Sequence, residues 1–417
     1  MASDARRYLG AFFGLVFGGM VLVAAFDHLV DPYDMRVSAR DGQDVQKPAV
    51  GEYAKISKPF AVAALRPAGL VLGTSRSAHA IDPRHPAWPA GSRPVFNFAQ
   101  VGTTMRELRR ALEHAIATGP PRTVVLELDY HTFNVNRTVS PDFDDALLRR
   151  DANDRLRPAL RRAMLLVSAD TLSAAVALLY APQPAAADYE PDGRTNDRLY
   201  ARKLARYGGH HALFVKSERS QYIEPFFAAP PPRRVRYRHD DGTPAMEDFV
   251  TIVALARAHG IDLRCYLPPL HARQREVFRA LGLAPEIADW KRDLVRVLAA
   301  DAAAHPAAAP FALWDFSGYS TVTTEALPPS GDTSSRMHWY WESSHFKREA
   351  GDLVLDRLFD PAGRRFPVPA DFGVQLTAAT IEAELAQQEA DGRGYRASHP
   401  ADLAEIESAV AAIAARH

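Results

Sequence analysis

Ser75 stands two residues after the apolar run Ala68-Gly-Leu-Val-Leu-Gly73, and Glu342 precedes His345 by three residues near the other end of the chain. A serine in the tight turn after a strand exposes its hydroxyl and can turn its own backbone N–H toward a developing oxyanion. A carboxylate three residues before a histidine can reach the same imidazole, fix its tautomer and stabilise the imidazolium. Together these side chains can serve an acyl transfer as nucleophile (Ser75), general base and acid (His345) and orienting acid (Glu342). Each also has a simpler use. Ser75 can cap the next helix, His345 can open one, and Glu342 can sit in a first turn where the helix dipole favours an acid. Their joint occurrence at the two ends of an α/β pattern favours the catalytic reading.

In open α/β sheets ligands bind beyond the carboxyl ends of the strands. That draws in Arg76, the stretch Asn97–Gly102, the triplet Asp129-Tyr130-His131, and His271 after Pro268-Pro269. Arg76 can bind a substrate carboxylate or sugar oxygen, or form a buried ion pair. Tyr130 and His271 are candidate lining residues of the cleft, and His271 also reads as structural. Trp341, beside Glu342, can stack on a sugar ring or pack in the core. His210-His211 lacks a third ligand at useful spacing, so no metal site is expected, and no cofactor is implied. The single cysteine, Cys265, excludes an intrachain disulfide, a Cys-rich zinc site and an iron–sulfur cluster.

The elements that must position these residues follow from periodicity. Short apolar runs at 68–73, 94–98, 123–128, 262–267 and 311–316 read as buried strands. Thr104 with Glu107 forms a capping box ahead of Leu108, Leu112, Ala115 and Ile116, which recur at helical spacing. Helices are also expected at 247–259, 284–303 and 347–359. Strands alternating with helices predict an α/β domain with a parallel, helix-covered sheet. Residues 140–240 interrupt the rhythm and read as a largely helical insertion with a Pro-rich turn at 229–232. Residues 374–417 form an Ala/Glu-rich helical tail broken near Gly392–Gly394.

The chain has 417 residues, 47% of them hydrophobic, with 50 basic against 50 acidic side chains. That balance argues against nucleic-acid binding, which needs an excess of Lys and Arg. Leu9–Phe26 carries no charge, follows Arg6 and Arg7, and precedes Asp27 and Asp31. As a helix it is ~27 Å long, close to the hydrocarbon thickness of a bilayer. Its flanking charges put the N-terminus in the cytoplasm and the rest outside. Val23-Ala24-Ala25 permits a cleaved signal peptide as the competing reading, but the apolar run exceeds the usual signal core. The expected organisation is an anchor over 1–30, a connecting segment over 31–65, a catalytic domain over 66–373 and the tail.

The series Gly73-Thr-Ser75-Arg76, Phe96-Asn97-Phe98, Gly102 and Glu342-x-x-His345-Phe346 resembles the SGNH/GDSL hydrolase superfamily. Within it the chain is most similar to membrane-anchored bacterial members of the AlgJ/AlgX-like alginate O-acetylation and DltD-like groups. The resemblance covers about 66–140 and 245–360. It implies a flavodoxin-like three-layer α/β/α sandwich, with Ser75 as nucleophile, His345 as catalytic histidine, and an oxyanion hole drawn from Ser75, Gly102 and Asn97 or Asn134. Glu342 stands where the family usually has Asp, and Asp129-Tyr130-His131 replaces the family's Gly-x-Asn-Asp block. The function so implied is O-acetyl transfer to, or removal from, an envelope polysaccharide by a single-pass inner-membrane protein with its domain in the periplasm. A membrane-bound O-acyltransferase would be its partner. The alternative is a non-catalytic glycan-binding or scaffold component of such a complex.

Overall fold

Helix α1 (Ala2–Val30) is one continuous helix, exposed from Asp4 to Leu22, and Asp4–Val30 within it is long and apolar enough to cross a membrane. This computed structural model describes residues 2–36, 53–148, 156–180, 189–228 and 235–416. After α1 come α2 (Ala54–Leu65), β1 (Gly69–Leu72), α3 (Ser75–Ala80), β2 (Val95–Asn97), α4 (Met105–Thr118) and β3 (Thr123–Glu127). The insertion contributes α5 (Leu156–Leu165), α6 (Ala169–Tyr180), α7 (Arg198–Tyr207) and α8 (His210–Ser217), which runs on through a π-helical turn at Glu218–Ile223. Then follow α9 (Glu247–Ala258), β4 (Asp262–Leu267), α10 (Ala272–Ala280), α11 (Ala284–Ala304) and β5 (Ala312–Asp315). A two-stranded hairpin, β6 (Tyr340–Glu342) and β7 (His345–Phe346), precedes α12 (Arg348–Phe359), β8 (Val374–Leu376), α13 (Ile381–Ser398) and α14 (Pro400–Ala414). The Pro-rich turn expected at 229–232 lies outside the described residues.

The central sheet has the order β2-β1-β3-β4-β5-β8, with the first five strands parallel and β8 antiparallel at the edge. Period-two alternation splits its side chains between two cores. Leu70, Leu72, Val124, Leu126, Cys265 and Leu313 face one apolar cluster that includes residues of α4, α9 and α11. Val71, Val125, Tyr266 and Trp314 face the other, which includes residues of α3 and α12. Helices therefore cover both faces, as continuous apolar strands require. The order 2-1-3-4-5 is one of the common doubly wound arrangements, whose ligand crevice opens beyond the carboxyl ends where the chain reverses direction across the sheet. Here that point lies between β1 and β3.

The C-terminal tail departs from its expected form in two places. Its first residues, Val374–Leu376, pair with β5 instead of starting a helix. Helix α13 then runs unbroken through Gly392 and Gly394 and stops at His399-Pro400. Interior glycines cost a helix only about 1 kcal/mol each, whereas proline removes a backbone donor and clashes with the preceding turn. Helix α14 docks through ion pairs, with Arg273 of α10 bonded to Asp402 at 3.0 Å, Glu405 at 2.9 Å and Glu218 at 2.9 Å.

Within 31–65, helix α2 packs against α4, and two of its lysines are buried. Lys55 pairs with Glu107 at 3.1 Å. Lys58 donates to the Asn97 and Ala99 carbonyls at 3.0 and 2.5 Å and lies over the Tyr189 ring. Burial lowers the Lys58 ammonium to about 7, against a weaker opposing pull from Asp192. Between pH 7 and 10.5 the unfolded chain therefore binds the proton that the folded chain has lost, so stability rises with pH across that window. In Lys58→Met this rise flattens, as thermal midpoints recorded from pH 7 to 10.5 for the two proteins will reveal.

Candidate active site

Ser75 is the first residue of α3, directly beyond the carboxyl end of β1. Thr74 caps that helix in an extended conformation. The turn is held from below by Glu127, the last residue of β3, which is fully buried. One Glu127 oxygen accepts from Thr74 Oγ1 at 2.7 Å, and the other accepts from the Thr74 and Ser77 backbone N–H groups at 3.2 and 2.9 Å and from the Ser77 hydroxyl. Gly73 has to be glycine for space, because a Cβ there would stand 2.4 Å from Ser77 Oγ and 2.7 Å from Glu127 Oε2.

Glu342 and His345 face each other across the β6–β7 hairpin, whose turn is Ser343-Ser344. The three-residue spacing is thus a hairpin spacing rather than a helical one. Glu342 Oε1 bonds His345 Nδ1, and His345 Nε2 lies 2.7 Å from Ser75 Oγ. A carboxylate on Nδ1 fixes the ring proton there, which leaves Nε2 as the acceptor and Ser75 O–H as the donor. Ser344 secures the acid, donating to Glu342 from its backbone N–H at 3.0 Å and from its hydroxyl at 2.9 Å. Burial alone would raise the Glu342 carboxyl, but the His345 imidazole and the Ser344 bonds outweigh it and hold the group down at about 2. The acid is therefore ionised at every physiological pH.

Ser75 opens into a cleft of about 460 Å³, lined also by His345, Gly102, Asn134, Arg137 and Tyr222 among others. Gly102 borders it in the left-handed region (φ 69°), and its carbonyl accepts from the Arg137 guanidinium and from the Ser140 hydroxyl. His131 also borders the cleft. Burial, reinforced by the charges of Arg76 and Arg137, lowers it to about 3, so its ring is neutral. No group of three or more His, Cys, Asp or Glu among the described residues is arranged to hold a metal ion.

Ser75, His345 and Gly102 border this cleft, with Glu342 buried behind His345, and the other candidates are held by scaffold contacts. Asn97 is fully buried and cannot donate to an oxyanion, because its amide bonds the Ser77 and Ile81 carbonyls at 2.8 and 2.9 Å. Arg76 borders the cleft, but its nitrogens are engaged by the Ser344 carbonyl at 2.9 Å, the Tyr222 hydroxyl at 2.9 Å and Asp129. It clamps the nucleophile turn to the histidine hairpin. Tyr130 is buried in the main core against Trp290, on the far side of the Asp129 turn. His271 caps α10, bonding the Glu325 carbonyl through Nε2 and the Arg273 N–H through Nδ1, so both ring nitrogens are taken by backbone. Trp341 stacks on Tyr200 at 5.6 Å in a separate buried cluster.

Two contributors escaped the sequence reading. Glu127 carried a signal, a lone acid in an otherwise apolar buried strand, where an ionisable group needs a partner. Tyr222, which bonds Arg76, carried none. No family model matches the sequence, and no curated protein matches it.

Proposed function

We propose that this chain is a membrane-anchored serine acyl-ester enzyme that transfers an acetyl group to, or removes one from, hydroxyls of an envelope polysaccharide. The observation that carries this reading is the unbroken chain from Ser75 Oγ through His345 to Glu342, opening on a cleft. Ser75 gives its proton to His345 Nε2 as Oγ bonds the ester carbonyl carbon. The tetrahedral intermediate then expels the donor alcohol, which takes the proton from His345, and acyl-Ser75 remains. An acceptor hydroxyl next passes its proton to His345 and attacks the acyl carbon, and Ser75 leaves with the proton restored. A sugar hydroxyl as acceptor gives transfer, and water gives hydrolysis.

The N–H of Ser75, at the head of α3 where no preceding turn offers an acceptor, and the backbone at Gly102 are the oxyanion donors of this reading. The doubly wound 2-1-3-4-5 order supports the flavodoxin-like SGNH resemblance. Arg6 and Arg7 before α1's apolar stretch support an inner-membrane protein with its domain in the periplasm. A membrane-bound acyltransferase would then supply the acyl donor. The loss of Asn97 as an oxyanion donor favours a second reading, a non-catalytic glycan-binding scaffold.

Incubating the full-length protein with an activated acetyl ester, with and without a hydroxyl-bearing glycan, separates these. Acetyl on the glycan means transfer, acetate alone means hydrolysis, and neither product with retained glycan binding supports the scaffold. Glu127 is a positioning residue in this account. Glu127→Gln keeps its shape but weakens its grip on Thr74 and Ser77, and misplacing a reacting group by ~1 Å can cost ~10²-fold. The expected result is kcat lower by ~10²-fold with KM nearly unchanged, in steady-state ester hydrolysis.

A further inference from the structure

Helices α5 and α6 form a kinked pair whose polarity is inverted for a protein in water. On α5 the residues Leu156, Ala159, Leu160, Ala163 and Met164 recur at helical spacing and are all exposed. Leu156, Leu160 and Met164 expose 76%, 61% and 57% of their surface. Arg161 and Arg162 of the same helix turn the other way. Arg161 pairs with Asp144, and Arg162 lies over the Phe60 ring at 5.6 Å and reaches the Met35 carbonyl at 3.5 Å. On α6, Val176, Leu179 and Tyr180 are exposed, the last at 82%. Scattered exposed apolar residues need no explanation, but a stripe recurring at helical spacing, with Arg161 and Arg162 turned away from it, marks a contact surface.

What lies against the patch follows from its place. Helix α6 packs on α1, and Tyr33 and Met35, just beyond the end of α1, share one buried cluster with Leu165 of α5 and Ala174 of α6. The exposed stripe is therefore tethered at the root of the helix that is apolar enough to cross a bilayer. Segments Ala159–Leu165 and Ala169–Tyr180, bent by 55°, are together apolar enough for one broken membrane passage.

We propose that the kinked α5–α6 pair is immersed in the leaflet from which α1 emerges, so that the chain holds the bilayer with two elements. This rests on α1 spanning the membrane and is independent of any catalytic activity. Apolar side chains lying in the interface add to the anchoring, and the inward arginines avoid the cost of charge in hydrocarbon.

The test uses the full-length chain in phosphatidylcholine/phosphatidylglycerol vesicles, with an environment-sensitive fluorophore on single introduced cysteines. Cys265 is buried and does not compete for label. The sites are Leu15→Cys in α1, Leu160→Cys in α5, Leu179→Cys in α6, and the exposed Arg393→Cys on α13. The proposal expects blue-shifted emission at 160 and 179, with quenching by lipid-borne nitroxides several-fold stronger than at 393. Iodide quenching at 160 and 179 as strong as at 393, with 15 still quenched from the lipid, overturns it. Shielding of 160 and 179 from both quenchers also overturns it and points to a protein partner or a second copy. Loss of lipid quenching at 15 as well removes the anchor reading and the proposal together.

Discussion

Ser75→Ala is expected to lower turnover of an activated acetyl ester by about 10⁴-fold or more, because the covalent route disappears and only binding and oxyanion stabilisation remain. The substitution removes one oxygen from a helix head whose capping by Thr74 and Glu127 does not involve the Ser75 hydroxyl. Stability should therefore change little, and the thermal midpoint serves as the control that separates lost chemistry from lost fold. Intact-mass spectra after a brief exposure to the ester should show an acetyl adduct on the wild type and none on the variant. Equal turnover by the two proteins would remove Ser75 from the chemistry.

Glu342→Gln is expected to cost about 10³–10⁴-fold in kcat while leaving the cleft intact. A glutamine amide at this site donates toward Nδ1, which drives the ring proton to Nε2. The nitrogen facing Ser75 then becomes a donor and cannot accept the hydroxyl proton. The substitution also removes the negative charge that stabilises the imidazolium. Stability carries a second signature. The folded Glu342 carboxyl lies near 2, below its ordinary 4.5, so its contribution is fully present above pH 4.5 and fades as pH falls toward 2. The stability advantage of wild type over Glu342→Gln should shrink across that window. Unfolding midpoints from pH 6 to 2.5 check this, and a constant gap would mean that Glu342 does not hold the charged pair.

The five parallel strands and the candidate residues beyond their ends were legible for one reason. Apolar runs ending in Gly or Pro mark strand ends, and in a doubly wound sheet those ends are where the crevice opens. Glu342-x-x-His345 was legible as a spacing, though not as a hairpin, because a Ser-Ser turn carries no Gly or Asn signal. Helix α10 was missed because its inward face is polar. Arg273, Gln274 and Glu276 are fully buried, and Arg273, Glu276 and the Gln274 carbonyl oxygen find ion pairs and hydrogen bonds in distant parts of the chain, which hydrophobic periodicity cannot register. Asn97 was misassigned, and the two alternatives for Arg76 were left open, for a related reason. At a strand end beside a cleft, the same amide or guanidinium can serve a ligand or tie the scaffold together. Only the partners decide, and here they are Ser77, Ile81, Asp129, Ser344 and Tyr222.

The central claim is that Ser75 is a nucleophile activated by His345. Labelling the full-length protein with a serine-directed fluorophosphonate, followed by peptide mapping, tests it most directly. The account predicts a single adduct on Ser75 that is lost in His345→Ala and suppressed by prior exposure to the acetyl ester. An unlabelled Ser75 in a folded protein, or labelling that persists undiminished in His345→Ala, would contradict it.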